Sequence, residues 1–579
     1  MSGTMKFTDS PEQAAVIQAP SYEDVVVVAG AGSGKTYTMT RRIITLIEQG
    51  VSPEKILGLT FTRKAASELL SRVSAAVSRK QRERGLKSAN MTFLKPEVST
   101  YDAFFQSIVR QYGLLVGFDQ NTQPLSEAGA MQLIHTVLDK HMVDLMAFDG
   151  DLKSFNTIAG NVFALSNAIS GAMIGSGCTS FDEAVQRVRD WDEAFIRQVD
   201  KALDGETVPT EQPKSPKPPK RLKKDSDADY EKKLEKYREL GHSMCVYNST
   251  QLASVAKQRN LLLDLVLDYH AEKRACNMAE FSDFTIAAFQ LVSRFPSIGA
   301  TYRKRYSHVL LDEYQDTSTT QAALLSALFH ADNTHRSAVN AVGDPFQSIY
   351  AWRGASPGAF RMLQHDFGMD ATRKPFALTV TRRNSRMVLE AANNLTKPLR
   401  LPARRLSSSL MREVDVPALS NIEEAPEGTI GVLGFATFGQ EVDAVVRFAK
   451  HAIALHTPSA RDLDHGAKDN RPHVAVLFRS KGTMSQYAEA LEQAGLTTLV
   501  VGQAALLERP EVRDVFALLH VVSDHTDSAA LMRLLATPRF AVEADDLQAL
   551  ADTAERMNTV YRYRALISAG IVPAQTTKA

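Results

Sequence analysis

The sequence contains few cysteines, little net charge and no long apolar run. Among its 579 residues there are three cysteines, Cys178, Cys245 and Cys276, which are widely spaced and form no C-x-x-C pair. This spacing argues against a disulfide framework, a zinc site and an iron–sulfur cluster. Since we find neither a signal peptide nor a membrane-spanning run, we expect a cytoplasmic protein that has no membrane partner.

Composition sets only broad limits on what the chain does. Hydrophobic residues make up 44% of it, a proportion sufficient for large buried cores. The length predicts about four domains at roughly 150 residues each. The formal net charge of +1 does not exclude nucleic acid as a partner, because a basic groove can coexist with an acidic exterior.

The most informative segment is VVVVAGAGSGKTYTM, near the N-terminus. Its apolar start predicts a strand buried on both faces, followed by a glycine-rich turn and a helix. Backbone N–H groups of this turn can point inward and cradle phosphates, namely those of Gly32, Ser33 and Gly34. Lys35 can then reach the β- and γ-phosphates, and the Thr36 hydroxyl can ligate Mg²⁺.

This phosphate loop departs from the usual pattern at one position. The first residue of the pattern is normally glycine, whereas here it is Ala29. The alternative interpretation is a glycine-rich turn with an incidental lysine. The preceding strand, the Gly-Lys-Thr sequence and the following helix disfavour that alternative, so we predict a nucleoside triphosphate site.

A second motif follows the apolar run HVLL, where the sequence continues as DEYQDT. A strand that ends there would place Asp312 beyond the carboxyl end of a parallel sheet, where ligands bind. Asp312 can hold Mg²⁺, and Glu313 can orient and deprotonate a water that attacks the γ-phosphate. An Asp-Glu pair alone is commonly a solvated strand end, but together with the phosphate loop it favours ATP hydrolysis over nucleotide storage.

The segment AVGDPFQSIYAWRGA combines a nucleotide-sensing amide with flat aromatic rings. Gln347 is a neutral group that can detect the γ-phosphate. Tyr350 and Trp352 are faces on which single-stranded bases can stack, typically for about 1–3 kcal/mol per base. Arg353 can bind a phosphate or stack in turn. Core packing is the alternative for Trp352, and its polar and glycine neighbours disfavour it.

The rest of the chain alternates between sheet-like and helical patterns. Apolar runs predict strands at VVVVAG, ILGLTFT, HVLLDE, AVNAVGD and FALTVT, and a later α/β section contains TIGVLGF, VAVLFRS and TTLVVG. From Leu114 to about Ala275 the pattern is mainly helical, as is the tail from Asp524 onward. A helical block therefore interrupts one sheet, and a second α/β lobe follows.

Residues 205–240, inside the helical block, are rich in proline, lysine and acidic residues and poor in apolar ones. We predict a disordered or loosely helical excursion there. Its basic block consists of Lys214, Lys217, Lys220, Arg221, Lys223 and Lys224. These side chains could contact DNA phosphates, but a solvated linker is the interpretation that we favour.

With these motifs the sequence resembles the UvrD/Rep/PcrA group of superfamily 1 DNA helicases, over nearly its whole length except the lysine-rich excursion. AGAGSGKT is this group's form of the phosphate loop, and FTDSPEQAAV is similar to its adenine-reading segment, in which Gln13 would recognise adenine. LLDEYQDT and GDPFQSIYAWRGA match closely. The nucleotide-binding residues that the resemblance implies are Gln13, Ala29, Gly30, Ala31, Gly32, Ser33, Gly34, Lys35, Thr36 and Arg383.

Further segments resemble later motifs of the group. LTFTRKAASEL resembles a DNA-contacting motif, which implies a DNA face formed by Thr60, Phe61 and Thr62. LTVTRRNSRMVLEAANNL resembles the fourth motif, in which Arg383 would reach the γ-phosphate from the second lobe. The resemblance implies a catalytic set made of Lys35, Asp312, Glu313, Gln347 and Arg383.

The sequence also departs from the group. Arg382 replaces the usual aromatic residue of the fourth motif, and Asp102 stands in STYDAFFQSIV where a histidine is usual. We find neither a T-x-H-x-x-K-G-L-E-like segment nor a second γ-phosphate arginine between Asp524 and Ala579, and no nuclease-type carboxylate–lysine set. We therefore expect a truncated chain with an incomplete second lobe.

The resemblance implies an α/β fold of the P-loop NTPase type, with RecA-like parallel-sheet motor lobes and a helical insertion subdomain. It also implies ATP and Mg²⁺ as cofactors, and 3′→5′ DNA unwinding in repair or recombination. The expected domains are lobe 1A (1–112 and 280–376), insertion 1B (113–279), lobe 2A (377–523) and the start of subdomain 2B (524–579).

Single-stranded DNA and duplex/single-strand junctions are the partners that the resemblance implies. Wording such as LGLTFTRKAA is closer to large actinobacterial UvrD-like helicases, including the AdnAB type, so a second helicase or nuclease subunit is a candidate partner. One alternative is a nucleotide-dependent DNA-binding or regulatory module with little unwinding, which the absent motifs favour. Another is a P-loop ATPase of a different class, which the Tyr-Ala-Trp-Arg segment disfavours.

Overall fold

The computed structural model describes residues 9–83, 95–147, 154–174, 176–222, 226–332, 334–351, 354–356, 358–370, 372–400, 415–456, 474–501, 510–524 and 527–568. Contacts divide the chain into two compact units, Met1–Ile430 and Gly431–Ala579. None of the helices in these described stretches combines the length and the apolar character that crossing a membrane requires.

A parallel sheet of six strands forms the centre of the first unit. Its strands are β1 (Val25–Ala29), β2 (Ile56–Thr60), β3 (Glu97–Thr100), β4 (His308–Leu311), β5 (Ala338–Gly343) and β6 (Phe376–Leu378). They lie in the order β3-β2-β4-β5-β1-β6, and all neighbours are parallel. The chain therefore has the predicted α/β fold class. The carboxyl ends of the six strands of this sheet meet at one edge.

Burial explains why these segments are strands. Every residue of β1, β2, β4 and β5 is buried, as expected for central strands covered on both faces. β3 is an edge strand with the sequence EVST and is only partly buried, so no apolar run predicted it. β6 forms the other edge. The boundary expected after residue 376 therefore cuts through β6, which pairs with β1.

Helices α1 (Pro11–Ile17), α2 (Lys35–Glu48), α3 (Arg63–Glu83) and α4 (Tyr101–Tyr112) precede the helical block. The first of them to follow a sheet strand, α2, is fixed by Arg42, which is wholly buried. The Arg42 guanidinium donates hydrogen bonds to the Asn340 side chain (3.2 Å) and to the carbonyl oxygens of Ile17 (3.2 Å) and Pro20 (2.9 Å). These bonds tie α2 to β5 and to the end of α1.

The helical block contains α5 (Glu127–Lys140), α6 (Met142–Ala147), α7 (Phe155–Ala172), α8 (Phe181–Ala202) and α9 (Asp227–Ala275). These helices enclose an apolar core of their own, to which Ile134, Val162 and Val266 belong. At one end of the block the two-residue strands Gln123–Pro124 and Met278–Ala279 pair in parallel.

Of the two alternatives predicted for residues 205–240, disorder or loose helix, disorder is wrong from residue 227 onward, because α9 begins there. Ser226 caps this helix: its hydroxyl accepts the Asp229 N–H (3.2 Å), and the Asp229 carboxylate accepts the Ser226 N–H (3.3 Å). Such a reciprocal cap starts a helix even in a polar sequence. Residues 206–222 form neither helix nor strand.

A buried ion cluster joins α9 to the next helix, α10 (Phe281–Arg294). Lys273 is 1% exposed, and its Nζ lies 2.7 Å from carboxylate oxygens of both Glu280 and Asp283. Although burial alone would lower the pKa of Lys273, the two carboxylates hold it above its usual value. Charges shielded from water therefore hold the helical block against the part of the chain that returns to the sheet.

The remaining helices of the first unit are α11 (Pro296–Arg305), α12 (Thr319–Phe329), α13 (Ala359–Asp366) and α14 (Arg386–Arg400). Leu324 of α12 and Phe360 of α13 join the sheet residues in the largest apolar core. After β6, Val380–Thr381 pairs in parallel with Ser420–Asn421. This pair holds the segment that follows β6 beside the carboxyl edge of the sheet.

The second unit is helical in the residues that the structure describes, with α15 (Phe438–His456), α16 (Met484–Gln493), α17 (Pro510–Ser523), α18 (Ser528–Leu535) and α19 (Ala544–Ser568). The strands predicted at TIGVLGF, VAVLFRS and TTLVVG are not formed in their described residues, so that prediction is wrong. Val432, Leu477 and Leu499 in these runs are 98%, 91% and 89% exposed. Without covered faces or pairing neighbours, an apolar run does not become a strand.

Candidate nucleotide and nucleic-acid site

The carboxyl edge of the sheet gathers residues that are far apart in sequence. The loops that leave β1, β4, β5 and β6 there contain residues 30–34, 312–313, 344–347 and 379–383. Every catalytic residue predicted from the sequence lies in one of these loops or directly after it. Parallel strands thus place the predicted site at the edge where α/β sheets bind ligands.

The turn between β1 and α2 has the backbone shape of a phosphate cradle. Gly32 and Gly34 have φ angles of 77° and 89°, which favour glycine. The buried Ser33 donates from its backbone N–H (3.2 Å) and its hydroxyl (2.8 Å) to the Gly30 carbonyl. The turn then enters the N-terminus of α2, which favours a bound anion.

Two predicted nucleotide contacts flank this turn. A Cβ built on Gly32 would lie 2.5 Å from both the Arg383 Cβ and the Thr381 Oγ1, so the turn is packed against the segment after β6. On the other side, the buried Gln13 donates from Nε2 to the Ser33 carbonyl (3.0 Å). Arg383 and Gln13 are therefore both adjacent to the cradle, as the sequence-based assignment requires.

Lys35 and the carboxylates after β4 form the charged centre of the site. Lys35 Nζ lies 3.0 Å from Glu313 Oε2, although the two residues are 278 positions apart. Burial, together with the charge of Glu313, raises the pKa of Asp312 to about 6, against the opposing effect of Lys35. The negative charges of the two adjacent carboxylates are therefore only partly balanced by Lys35, and a divalent cation bound there would reduce the repulsion between them.

The donor set at this position fits Mg²⁺. Thr36 offers a hydroxyl and Asp312 a carboxylate, and Mg²⁺ prefers such oxygen ligands. Within the described part of the chain, no group of three or more His, Cys, Asp or Glu side chains could hold a metal by itself. Mg²⁺ is usually bound through one or two carboxylates plus substrate phosphates, so these residues fit a cation that binds together with a nucleotide.

Glu313 has an uncommon backbone conformation. Its φ of 50° and ψ of 41° lie in the left-handed region, which few residues other than glycine adopt. Strain of this kind concentrates at functional sites, where the surrounding structure maintains it. Here the strained residue is the one whose carboxylate contacts Lys35, which supports an active role for it.

A hydrogen-bond chain runs from Glu313 to the segment after β5. Gln315 donates from Nε2 to Glu313 Oε2 (2.8 Å), and its Oε1 accepts the Asp344 N–H (3.0 Å). The Asp344 carboxylate accepts a hydrogen bond from Gln347 Nε2 (2.8 Å). Gln347 was predicted from the sequence, whereas Gln315 and Asp344 were not, because no pattern in the sequence shows that these two polar side chains are buried.

An aromatic group lies beside this chain. The Tyr350 ring stacks on Phe61, with 5.7 Å between the centroids and 8° between the planes. Phe61 also contacts Tyr101 (5.2 Å between centroids), whose hydroxyl donates to the Asp312 carbonyl (3.0 Å). Tyr101 thus connects the predicted DNA-contacting rings to the predicted metal ligand, a role that the sequence did not indicate.

The predicted DNA face needs one correction. Thr60 is 1% exposed and donates from its hydroxyl to Asp312 Oδ2 (3.4 Å), so it belongs to the buried carboxylate side of the site. As the last residue of a central strand it is enclosed, whereas Thr62, in the loop beyond, is exposed. Trp352 and Arg353 lie outside the described residues.

The two departures from the resembled motifs also have defined positions. Asp102 accepts a long hydrogen bond (3.5 Å) from Gln321 Nε2 on α12. Arg382 has an exposed side chain, and its backbone N–H donates to the Gly32 carbonyl (3.0 Å). The backbone of the fourth motif therefore contacts the phosphate loop even though the usual aromatic side chain is replaced.

Comparison with protein families identifies the chain. The family model described as the UvrD/REP helicase N-terminal domain matches residues 9–368, more than half of the sequence. The chain belongs to the UvrD/REP helicase family. A second family model, the UvrD-like helicase C-terminal domain, matches residues 383–563 of this family member.

Relatives in the family are similar at low identity. The UvrD/REP chain is 27% identical to the ATP-dependent DNA helicase UvrD1 of Mycobacterium tuberculosis over 570 residues, which cover 96% of the chain and 58% of the relative. It is 24% identical to PcrA of Bacillus subtilis (92% and 55% covered) and 23% identical to Rep of Escherichia coli (92% and 61% covered). The chain thus spans 55–61% of the length of these three relatives.

The expected truncation before the last motifs is not confirmed. The C-terminal domain model matches up to residue 563, so a UvrD-like helicase C-terminal domain is present in this UvrD/REP chain. Short motif patterns were therefore an inadequate test of whether the domain is there.

Proposed function

We propose that this chain is an ATP-dependent 3′→5′ DNA helicase or single-stranded DNA translocase of the UvrD type that acts in DNA repair or recombination. The observation that carries the proposal is the 3.0 Å contact between Lys35 and Glu313, which joins the phosphate loop to the strand-end carboxylates. The names of the relatives, each an ATP-dependent DNA helicase, support it. The direction and the pathway rest on the family resemblance.

In this proposal ATP binds over the glycine-rich turn. Lys35 and Arg383 place positive charge against its phosphates from two sides of Gly32, which the packing of Arg383 on that glycine supports. Gln13 recognises the adenine through its side-chain amide. Thr36 and Asp312 hold Mg²⁺, which would neutralise negative charge on the phosphates.

Glu313 is the proposed general base. Its carboxylate accepts the proton of the water that attacks the γ-phosphate, a role that typically contributes about 10²–10⁴-fold to the rate. In the structure this carboxylate contacts Lys35. A bound γ-phosphate would attract the Lys35 ammonium and leave the carboxylate free to accept that proton.

Gln347 is proposed to relay the state of the γ-phosphate to the DNA-binding segment. It is linked to Glu313 through Asp344 and Gln315 by hydrogen bonds of 2.8–3.0 Å. Loss of the γ-phosphate would alter the partners of Glu313 and, through this chain, the segment that leads to Tyr350. Such order changes around a γ-phosphate are the usual output of nucleotide switches.

Base stacking is the proposed mode of DNA binding. Phe61 and Tyr350 already form a parallel pair at the sheet edge, and each offers a flat face. Thr62, Trp352 and Arg353 are proposed to complete the contact with the strand. Lobe closure on ATP and reopening after hydrolysis would then move bases past these rings.

The domain division remains part of the proposal. We assign residues 1–112 and 280–376 to lobe 1A, 113–279 to insertion 1B, 377–523 to lobe 2A and 524–579 to subdomain 2B. The separate apolar core of α5–α9 supports the assignment of the insertion. The six-stranded sheet supports lobe 1A, and because β6 (Phe376–Leu378) belongs to this sheet, we move the boundary between lobes 1A and 2A from residue 376 to residue 378.

A DNA-stimulated ATPase assay tests the proposed function. We expect single-stranded DNA to increase ATP hydrolysis, and a duplex with a 3′ single-stranded tail to be unwound. If DNA binds but leaves hydrolysis unchanged, the motor function is wrong and a nucleotide-dependent DNA-binding module is the correct description.

Lys35→Ala provides the matched control for this assay. Removal of the ammonium should abolish ATP turnover, because Lys35 is the phosphate-loop lysine that would neutralise the β- and γ-phosphates. DNA binding without nucleotide should be retained, since the aromatic face does not include Lys35. A filter-binding measurement beside the ATPase assay checks both expectations, and full activity of the variant would contradict the assignment.

A further inference from the structure

The exposed segment between α8 and α9 has a three-residue pattern of burial that the sequence alone did not indicate. Pro213, Pro216 and Pro219 are partly buried, whereas the residue after each of them is an exposed lysine. These lysines are Lys214, Lys217 and Lys220. The segment therefore has one partly buried line of prolines, and the lysines form an exposed line beside it.

A repeat of three is the period of the polyproline II helix, which has three residues per turn and a rise of about 3.1 Å per residue. The sequence KSPKPPK favours that conformation, because each proline fixes its own φ and restricts the residue before it. In this geometry the three lysines recur about every 9 Å along one line. The segment is thus a spaced row of charges and not a random linker.

The charges of this row are uncompensated. No acidic residue occurs between Glu211 and Asp225 in the sequence. Within the described residues, Lys214, Lys217 and Lys220 take part in no ion pair. Three neighbouring cations without counter-charges attract a polyanion.

Contacts with α9 hold both ends of the segment. Before the row, Glu206 Oε2 lies 3.0 Å from His242 Nε2. After it, Arg221 forms an ion pair with Asp227, and its guanidinium lies 5.5 Å from the centroid of the Tyr230 ring. These contacts keep the row beside the first half of α9, which reduces the entropy that a ligand would have to offset on binding.

We propose that Lys214, Lys217 and Lys220 form a second DNA-binding element that contacts backbone phosphates outside the nucleotide site. This inference rests on the proposed function, because DNA is the polyanion on which the motor would act. Lysines bind phosphates without reading bases, so the row would add affinity without sequence preference.

The orientation of the segment favours phosphates over a protein that reads proline-rich sequences. Domains of that kind dock on the proline face of a polyproline II helix. Here Pro213, Pro216 and Pro219 are partly buried, and among the prolines of residues 213–220 only Pro218 is exposed, whereas all three lysines are exposed. A phosphodiester backbone fits the face that is accessible.

The test compares a triple variant, Lys214→Gln, Lys217→Gln and Lys220→Gln, with the parent chain. Binding of labelled single-stranded DNA and of labelled duplex is measured by fluorescence anisotropy at several salt concentrations. We expect affinity about tenfold lower at low salt. The magnitude of the slope of log K against log salt should decrease by about 2 for single-stranded DNA or by about 3 for duplex DNA. The DNA whose slope changes is the one that the lysines contact.

A matched control removes the same charge from the same part of the chain. Lys201→Gln, Lys232→Gln and Lys236→Gln neutralise three exposed lysines of α8 and α9 that lie outside the row. This control should bind DNA as the parent does. ATP hydrolysis without DNA should be unchanged in both triple variants, which establishes that the nucleotide site is intact.

A further variant separates the charges from the conformation. Pro213→Ala, Pro216→Ala and Pro219→Ala retain every lysine but remove the polyproline II constraint. Affinity should fall while the salt slope stays at the parental value, because the number of phosphate contacts is unchanged. A slope reduced as in the lysine variant would overturn the assignment of the contacts to the lysines.

The outcomes distinguish this inference from the proposed function. If the parent binds DNA and the lysine variant binds equally well in both arms, the lysine row is wrong and the motor proposal stands. Equal losses in the lysine variant and in its control would also overturn the row. If the parent chain binds neither single-stranded DNA nor duplex DNA, both proposals fail.

Discussion

Two apolar runs of similar composition have opposite environments in this molecule. VVVVA of β1 is buried throughout and pairs with a strand on each side. TTLVV, at residues 497–501, exposes Leu499 by 89% and Val501 by 79% and pairs with no strand among the described residues. Apolar β-branched sequence is therefore a precondition for a strand, and neighbours that cover and pair with it decide the outcome.

The largest expected effect is on the rate of ATP hydrolysis, and it compares a residue at the charged edge of the sheet with one in the helical second unit. Glu313→Gln should lower DNA-stimulated ATP hydrolysis by about 10²–10⁴-fold, because the amide cannot accept the proton of the attacking water. Glu489→Gln, on the exposed surface of α16, should leave the rate unchanged. Steady-state ATPase measurements on the two variants check this expectation. Equal rates would show that Glu313 is not the general base.

A stability measurement tests the contrast between the buried strands of the sheet and the exposed run at residues 497–501. Leu57→Ala in β2 should cost about 2–5 kcal/mol, since this side chain is fully buried in the sheet core and its loss leaves a cavity. Leu499→Ala should change stability by less than about 0.5 kcal/mol. Urea unfolding of both variants gives the difference, and comparable losses would mean that residues 497–501 are covered in solution.

The smallest expected effect concerns the aromatic rings. Tyr350→Ala should weaken single-stranded DNA binding by about 1–3 kcal/mol, because a stacking face is lost beside Phe61. Tyr561→Ala removes an exposed ring from α19 in the second unit and should have no such effect. Fluorescence titration with a short oligonucleotide checks this, and a Tyr350 variant with parental affinity would contradict the stacking role.

The sequence predicted the parts of the fold that depend on local pattern. Continuous apolar runs identified the buried central strands, because a parallel sheet covered on both faces requires them. The glycine-rich turn and the Asp-Glu pair were also recognised from the sequence, because the backbone shape of the turn and the charge of the pair depend only on neighbouring residues. Glu313 then reaches Lys35 because parallel strands align their carboxyl ends.

Features that depend on tertiary surroundings were not predictable. The edge strand β3 has no apolar run, and the cap at Ser226 outweighs the polar composition that indicated disorder. Gln315 and Tyr101 act as connectors only because the fold buries them against Glu313 and Asp312. The spacing of residues in the sequence predicts neither which polar side chains are buried nor which distant segments lie side by side.

The cluster of Lys273, Glu280 and Asp283 limits where the helical block can be removed. A deletion that ends after Lys273 would leave two enclosed carboxylates without their common counter-ion, at a cost that usually exceeds the loss of a surface ion pair several-fold. A minimal fragment that contains the six-stranded sheet should therefore keep the last two turns of α9. Shortened chains in which the deletion ends before Asp268 are the ones expected to retain this cluster.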